Sequence, residues 1–222
     1  MIPSTINILY EDKDVLVVDK PKGVLSEDAP GDKNSVPTLL ASHCDDGFPI
    51  SPITRLDRGV SGVMLLAKNK KSAAFLSAEI ADRQKCTKEY RAVVGGAFAE
   101  KNGEMRDLLF KDSSKNKSFV VSKMRRGVKE AFLSYEVLST VDSEKGAISL
   151  VSVFLHTGRT HQIRVQFASR AHSLLGDGKY GGDSAYSLSL HAYRLSFIHP
   201  NGKRMTFFSD LPGELPWNLF NK

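Results

Sequence analysis

Cysteine is nearly missing from this chain: of 222 residues, only Cys44 and Cys86 carry a thiol. They form neither a CxxC pair nor a disulfide framework, a usage that fits reduced thiols. Cys44 is expected as a small buried side chain at a helix end. The run His43-Cys44-Asp45-Asp46 has no second ligand pair beside it, so no metal site is expected. No apolar stretch approaches the roughly 20 residues that span a bilayer. The opening MIPSTINILYEDKD lacks the basic start, apolar middle and small-residue cleavage site of a signal peptide. A cytoplasmic protein without a membrane partner is therefore expected. Repeats, low-complexity tracts and long Pro/Gly/Ser linkers are also absent, which predicts a single domain over residues 1–222, long enough to bury a core. The glycines of GDGKYGG (176–182) match neither a Walker loop nor the dinucleotide fingerprint and read as tight turns. With nucleotide and metal motifs missing, no cofactor is expected.

What is present is ordinary in bulk and uneven in detail. A hydrophobic fraction of 41% with 25% charged residues suits a globular chain, and the formal charge of +6 favours anionic partners. Residues 111–129 (KDSSKNKSFVVSKMRRGVK) hold Lys111, Lys115, Lys117, Lys123, Arg125, Arg126 and Lys129 against Asp112 alone. The plain reading is a solvated face. The polar residues between the bases equally suit an exposed loop and strand that track phosphates.

Patterning predicts the elements. ILYEDKDVLVVDKPKG reads as a hairpin around Glu11-Asp12-Lys13-Asp14, ended by Pro21. VPTLLASHC is a short helix with Thr38 near its start, and SGVMLLAKN is a mostly buried strand. Asn69 caps a helix KKSAAFLSAEIADRQ whose Ala73, Leu76 and Ile80 share a face. TKEYRAVVGG is a strand with Tyr90, Ala92 and Val94 on one side. AFLSYEVLST and GAISLVSVFLH pair through the turn VDSEKG. A helix HQIRVQFASR opens at Thr160, with Ile163 and Phe167 on one face. SLHAYRLSFIHPNGKRMTFFSD is a hairpin turning at Pro200-Asn201-Gly202. Antiparallel strand pairs with inserted helices make the fold class α+β, not a doubly wound parallel sheet.

One stretch raises a chemical question. TRLDRGVSGVMLL (54–66) sets Asp57 between Arg55 and Arg58. In an extended chain Arg55 and Asp57 share a face and Arg58 takes the other. The plain reading is a surface ion pair worth about 0.5 kcal/mol. The functional one makes Asp57 a nucleophile or base kept ionised by its guanidinium neighbours.

Four segments in order now bear on that choice: YEDKDVLVVDKPKGVLS (10–26), RLDRGVSG (55–62), KEYRAVVGG (88–96) and LHTGRTHQIRVQFASRAHSLLGDGKYGG (155–182). Together they resemble the RluA-type pseudouridine synthases from about Tyr10 to Pro212. RLDRGVSG is similar to the family's RLD-x-x-x-S-G segment, which carries its catalytic aspartate. Two positions depart from the family pattern: Thr54 where relatives often have histidine, and Val60 where they usually have threonine. No segment like the S4-type RNA-binding module of many relatives precedes the hairpin, so RNA contact is expected from the catalytic domain itself or from a partner.

The resemblance implies a pseudouridine synthase fold, a largely antiparallel mixed sheet flanked by helices around a central active-site cleft. It implies isomerisation of uridine in ribosomal or transfer RNA, with no group lost and no cofactor; a monomer is the simplest expectation for the oligomeric state. Asp57 is then the catalytic carboxylate, with attack on the sugar and proton abstraction both open. Tyr90 offers a stacking face to an extruded base, a contact worth ~1–3 kcal/mol; its plain reading is a cross-strand core tyrosine. Arg55 is the candidate to enter the space that the base vacates. Arg164, about 100° round the helix from Ile163, is implied as the basic partner of the acid. Arg159, His161 and Gln162 lie at the helix start, where free N–H groups favour anions; they read as structural or RNA-binding, and Lys88 as a further phosphate contact. Two rivals remain at this level. A non-catalytic RNA-binding or chaperone protein on the same scaffold would not require Asp57, Tyr90 and Arg164 together. A glycosidase-like hydrolase would need a second positioned acid.

Overall fold

The computed structural model describes residues 6–43, 48–82, 85–144 and 146–220. The expectation for Cys44, and the cluster around it, lie outside these described residues. The chain forms two compact units: residues up to Lys88 with His191–Asp210, and Glu89–Leu190 with the residues from Leu211 onward.

The first unit begins with the predicted hairpin, β1 (Asn7–Glu11) and β2 (Val15–Lys20). Asp12 makes the turn, its Oδ1 accepting from the backbone N–H groups of Asp14 and Val15 at 2.8 Å each. A single helical turn, α1 (Val36–Leu39), follows, capped by Ser35, whose side chain accepts from Thr38 N. β3 (Ser51–Pro52) leads to β4 (Ser61–Ala67), all seven residues of which are buried. An unbroken apolar run is what a strand covered on both faces requires. β2 runs antiparallel along β4 from Val15 opposite Ala67 to Lys20 opposite Gly62. α2 (Lys70–Ala81) is capped as predicted, Asn69 Oδ1 accepting from Ser72 N at 2.8 Å, while Asn69 Nδ2 donates to Asp14 Oδ1 at 2.9 Å. It stops at Ala81, short of the predicted end, because Asp82 turns extended. Leu76 packs with Val15, Val17, Val63 and Leu65, and Ala73 and Ile80 flank it as the helical spacing predicts.

The second unit is an antiparallel sheet in the order β5 (Thr87–Gly95), β9 (Gly146–Leu155), β8 (Val128–Ser143), β6 (Asn102–Asp112), β7 (Lys117–Val121). The β8–β9 turn is tighter than predicted, since pairing continues to Ser143 opposite Gly146. The basic run does hold an exposed turn and a strand, with a second turn after it. The turns are Asp112–Lys117 and Val121–Val128, with β7 between them. α3 (Gln162–Ala168) places Val165 with Leu109, Ala131 and Tyr180 in the core. It starts two residues after Thr160, because His161 stands in the left-handed region at φ 53°.

β10 (Leu190–Ile198) then enters the first unit at His191 and pairs in parallel with β4, His191 opposite Ser61 and Ala192 opposite Gly62. β11 (Arg204–Phe208) closes its hairpin through the predicted Asn201-Gly202 turn. One parallel contact among antiparallel ones makes this first sheet mixed, within an α+β chain.

Candidate active site

Asp57 sits where the chain leaves β3 and prepares to enter β4. Ile53 N and Thr54 N both donate to Leu65 O, and Thr54 Oγ1 accepts from Leu65 N at 2.9 Å. The threonine at this departure from the family pattern thus ties the segment to β4. Leu56, buried, is held from the opposite direction: its N donates to Ser26 Oγ at 2.9 Å, and that hydroxyl donates to Leu56 O at 2.8 Å. Val60 N donates to Asp57 O at 2.9 Å, which turns the chain immediately after the carboxylate. Asp57 is half-buried, between a pinned leucine and a closed turn.

The arginines on either side of Asp57 have partners in the loop that follows β2. Arg55 Nη1 donates to Glu27 Oε1 at 2.6 Å with both groups exposed. Arg58 donates through Nε to Gly23 O at 2.9 Å and pairs with Asp32 at 3.1 Å. Both arginines therefore hold the loop that follows β2.

A cation in the field of Asp57 that sequence reasoning missed is Lys20. It is fully buried, and its ammonium donates to Pro21 O at 2.9 Å and Val24 O at 2.8 Å. Burial lowers its pKa to about 8, opposed by the negative charges of Asp57 and Asp19 and reinforced by Arg58. A signal was available: Leu16, Val18 and Lys20 alternate along β2, so the lysine occupies a core-facing position.

The serine and glycine of RLDRGVSG have structural work. Ser61 Oγ lies 2.9 Å from His191 Nδ1, and His191 Nε2 lies 3.2 Å from Ser209 O. The carbonyl can only accept, so Nε2 carries the proton and Nδ1 receives the serine hydroxyl. Burial pushes the pKa of His191 down, in keeping with a neutral ring. Gly62, at φ +116°, packs so closely on β10 that a Cβ would stand 2.2 Å from Ala192 O.

In the second unit, Tyr90 lies on β5 opposite Val153 and is half-buried. Arg164 is buried and forked onto Asp177, Nε to Oδ2 and Nη2 to Oδ1 at 2.7 Å each. The guanidinium plane is thereby fixed, and its Nη1 corner is turned away from that carboxylate by covalent geometry. Arg159 Nε donates to Glu130 O at 2.8 Å. Gln162 is 3% exposed, and its Oε1 accepts from Thr157 Oγ1 at 2.7 Å and Arg159 N at 3.1 Å. It holds the loop that carries Arg159. Lys88, at the end of the first unit, directs its ammonium toward Ile80 O at 3.5 Å.

Residues 14–169 match the RNA pseudouridylate synthase family. The chain belongs to the RluA-type RNA pseudouridylate synthases. The synthase is 37% identical to an RNA pseudouridine synthase of Aquifex aeolicus, over 93% of this chain and 70% of that one. It is 33% identical to ribosomal large subunit pseudouridine synthase D of Zymomonas mobilis, over 95% and 70% respectively. Among solved structures, human RNA pseudouridylate synthase domain containing 1 superposes with a TM-score of 0.78 at 22% identity, covering 98% of this chain and 89% of that one. Human RNA pseudouridylate synthase domain containing 4 gives 0.73 at 24% identity, covering 93% and 88%. Both show the pseudouridine synthase fold.

In the synthase, then, the predicted site residues fall into local assemblies. Asp57 lies in the field of Lys20; Arg159 is set by Gln162; Arg164 is set by Asp177. Among the described residues no group of three or more His, Cys, Asp or Glu could hold a metal, and no helix is long and apolar enough to cross a membrane.

Proposed function

We propose that the synthase converts uridine to pseudouridine in structured RNA, ribosomal RNA first among the candidates and transfer RNA second, with Asp57 as the catalytic carboxylate and no cofactor. What supports Asp57 most is the way the RLD segment is built: a half-buried carboxylate between a pinned Leu56 and a closed turn, with a buried ammonium in its field. The reaction breaks the bond from ribose to the base nitrogen, turns the base and joins one of its carbons to the ribose. The nitrogen gains a proton as the carbon loses one, so atoms balance without an added reagent. Preorganised charge next to the reacting sugar is the protein's contribution. Relatives named ribosomal large subunit pseudouridine synthase D, in Zymomonas mobilis and Borreliella burgdorferi, support the ribosomal choice.

The remaining roles follow the family motif residue by residue. Tyr90 receives the extruded base on its ring. Arg164, its plane set by Asp177, supplies positive charge for the acid. Arg55, Lys88 and Arg159 contact RNA, with Gln162 acting behind Arg159. Arg55 must exchange Glu27 for the substrate, a small cost for an exposed pair. The test is pseudouridine mapping across total RNA from a deletion strain complemented with wild type or Asp57→Asn. A uridine modified only with wild type is the expected result. Turnover near wild type by purified Asp57→Asn on that RNA would remove Asp57 from its role.

A further inference from the structure

The turn-rich GDGKYGG segment has so far no part in the reaction, yet its tyrosine meets three elements of the second unit. Tyr180 is buried. Its hydroxyl accepts from Ser118 N of β7 at 2.8 Å and lies 3.0 Å from His161 Nδ1. The one hydroxyl thus joins the backbone of β7 to the imidazole that stands before α3. Ser118 adds a second tie, its hydroxyl donating to Thr160 O at 2.6 Å. His161 keeps a left-handed backbone, a conformation that a non-glycine residue holds only when its surroundings fix it.

The ring of Tyr180 also serves two cations. Arg164 Cζ lies 5.3 Å from its centroid and Lys117 Nζ 4.9 Å, so both draw on one quadrupole. Tyr180 N donates to Asp177 O at 3.0 Å, behind the carboxylate that forks Arg164. Lys117 belongs to the β6–β7 hairpin, whose Lys111 and Lys115 are exposed and whose tip is tied by Lys179 Nζ to Asn116 O at 2.8 Å. Such clustered cations are where RNA phosphates add.

We propose that Tyr180 is a positioning residue that couples RNA contact on the β6–β7 hairpin to the placement of Arg164. The proposal rests on the reading of Arg164 given above. A phosphate held by Lys117 fixes β7, hence Ser118, Tyr180 and the start of α3. Docked RNA thus tightens the guanidinium that the reaction uses.

The test is single-turnover kinetics at saturating RNA, with affinity measured separately, for wild type, Tyr180→Phe, Lys117→Met and the double variant. Tyr180→Phe keeps the ring and is expected to slow the saturated rate about tenfold, the weight of one hydrogen bond, with affinity within about twofold. Lys117→Met should weaken binding and also slow the saturated rate, but not slow it further in the Tyr180→Phe background. A merely structural tyrosine would lower the melting temperature without separating rate from affinity. A normal saturated rate for Tyr180→Phe, or additive effects in the double variant, overturns the coupling. Should Tyr180→Phe fold poorly, a wild-type saturated rate for Lys117→Met overturns it as well. Arg164→Lys, run alongside, separates the premises: if it turns over normally the reading of Arg164 fails, whereas a slow Arg164→Lys beside a normal Tyr180→Phe removes only the coupling.

Discussion

Lys20 carries opposite consequences for stability and for chemistry. Its pKa of about 8 in the fold, against an ordinary 10.5, means that below pH 8 it is protonated in both folded and unfolded chains, and the fold bears the burial penalty. Above pH 8 the folded chain has released the proton while the unfolded chain keeps it up to about pH 10.5. The unfolded state then binds more protons, so this group's contribution to stability rises with pH. From pH 7.5 to 9.5 the difference in urea-unfolding free energy between wild type and Lys20→Met should grow in favour of wild type by about 2 kcal/mol. Turnover of wild type should fall across the same interval, because Asp57 loses one of the positive charges that act on it. Lys20→Met should be slow throughout and lack that alkaline limb. A wild-type pH profile that is flat to pH 9.5 would show that the ammonium has no part in the reaction.

At the scale of elements, the parallel contact between β4 and β10 holds the RLD turn in place. Gly62→Ala puts a Cβ 2.2 Å from Ala192 O at a backbone φ of +116°, so the two strands must separate. A loss on the order of 3 kcal/mol is expected, visible as a melting temperature lowered by roughly 2–4 °C per kcal/mol in a chain of this size. The hairpins were legible because their signals are local: Asp12 and Asn201-Gly202 make turns by short-range chemistry, and Asn69 caps its own helix. The β4–β10 contact was not, because Ser61 and His191 pair across a sequence separation of 130. His161 was misjudged for a related reason. Its left-handed turn, which delays α3, is fixed by Tyr180, and no propensity within HQIRVQF encodes that partner. Of the candidate site, the RLD, KEY and GRTHQIR motifs carried the residue identities. The partners of Arg55, Arg58 and Arg164, and the burial of Lys20, arise from tertiary packing alone.

For the molecule as a whole, the excess of positive charge predicts how strongly RNA binding responds to salt. Lys123, Arg125 and Arg126 are exposed in the turn before β8. If all three meet phosphates, changing them together to serine should reduce the slope of log affinity against log salt by roughly 2, with the chemical step at saturating RNA unaltered. An unchanged slope would return this turn to the plain reading of a solvated face. The +6 net charge would then act elsewhere, through Lys88, Arg159 and the β6–β7 hairpin.

The division of the first unit between two distant stretches of chain also bears on how the protein is made. During synthesis, β4 leaves the ribosome with β2 ready to pair, but β10 follows only after the Glu89–Leu190 stretch of the second unit has been translated. At ordinary elongation rates of about 5–20 residues per second, the roughly 130 residues between Ser61 and His191 correspond to several seconds or more. For that interval the nascent chain exposes the edge of a largely apolar strand, the kind of edge that templates pairing with other chains. The second unit is contiguous over Glu89–Leu190 and has no such wait for most of its sheet. Nascent chains stalled before residue 191 should therefore be the form of this protein that most needs a chaperone, and emergence of His191–Asp210 should end that need.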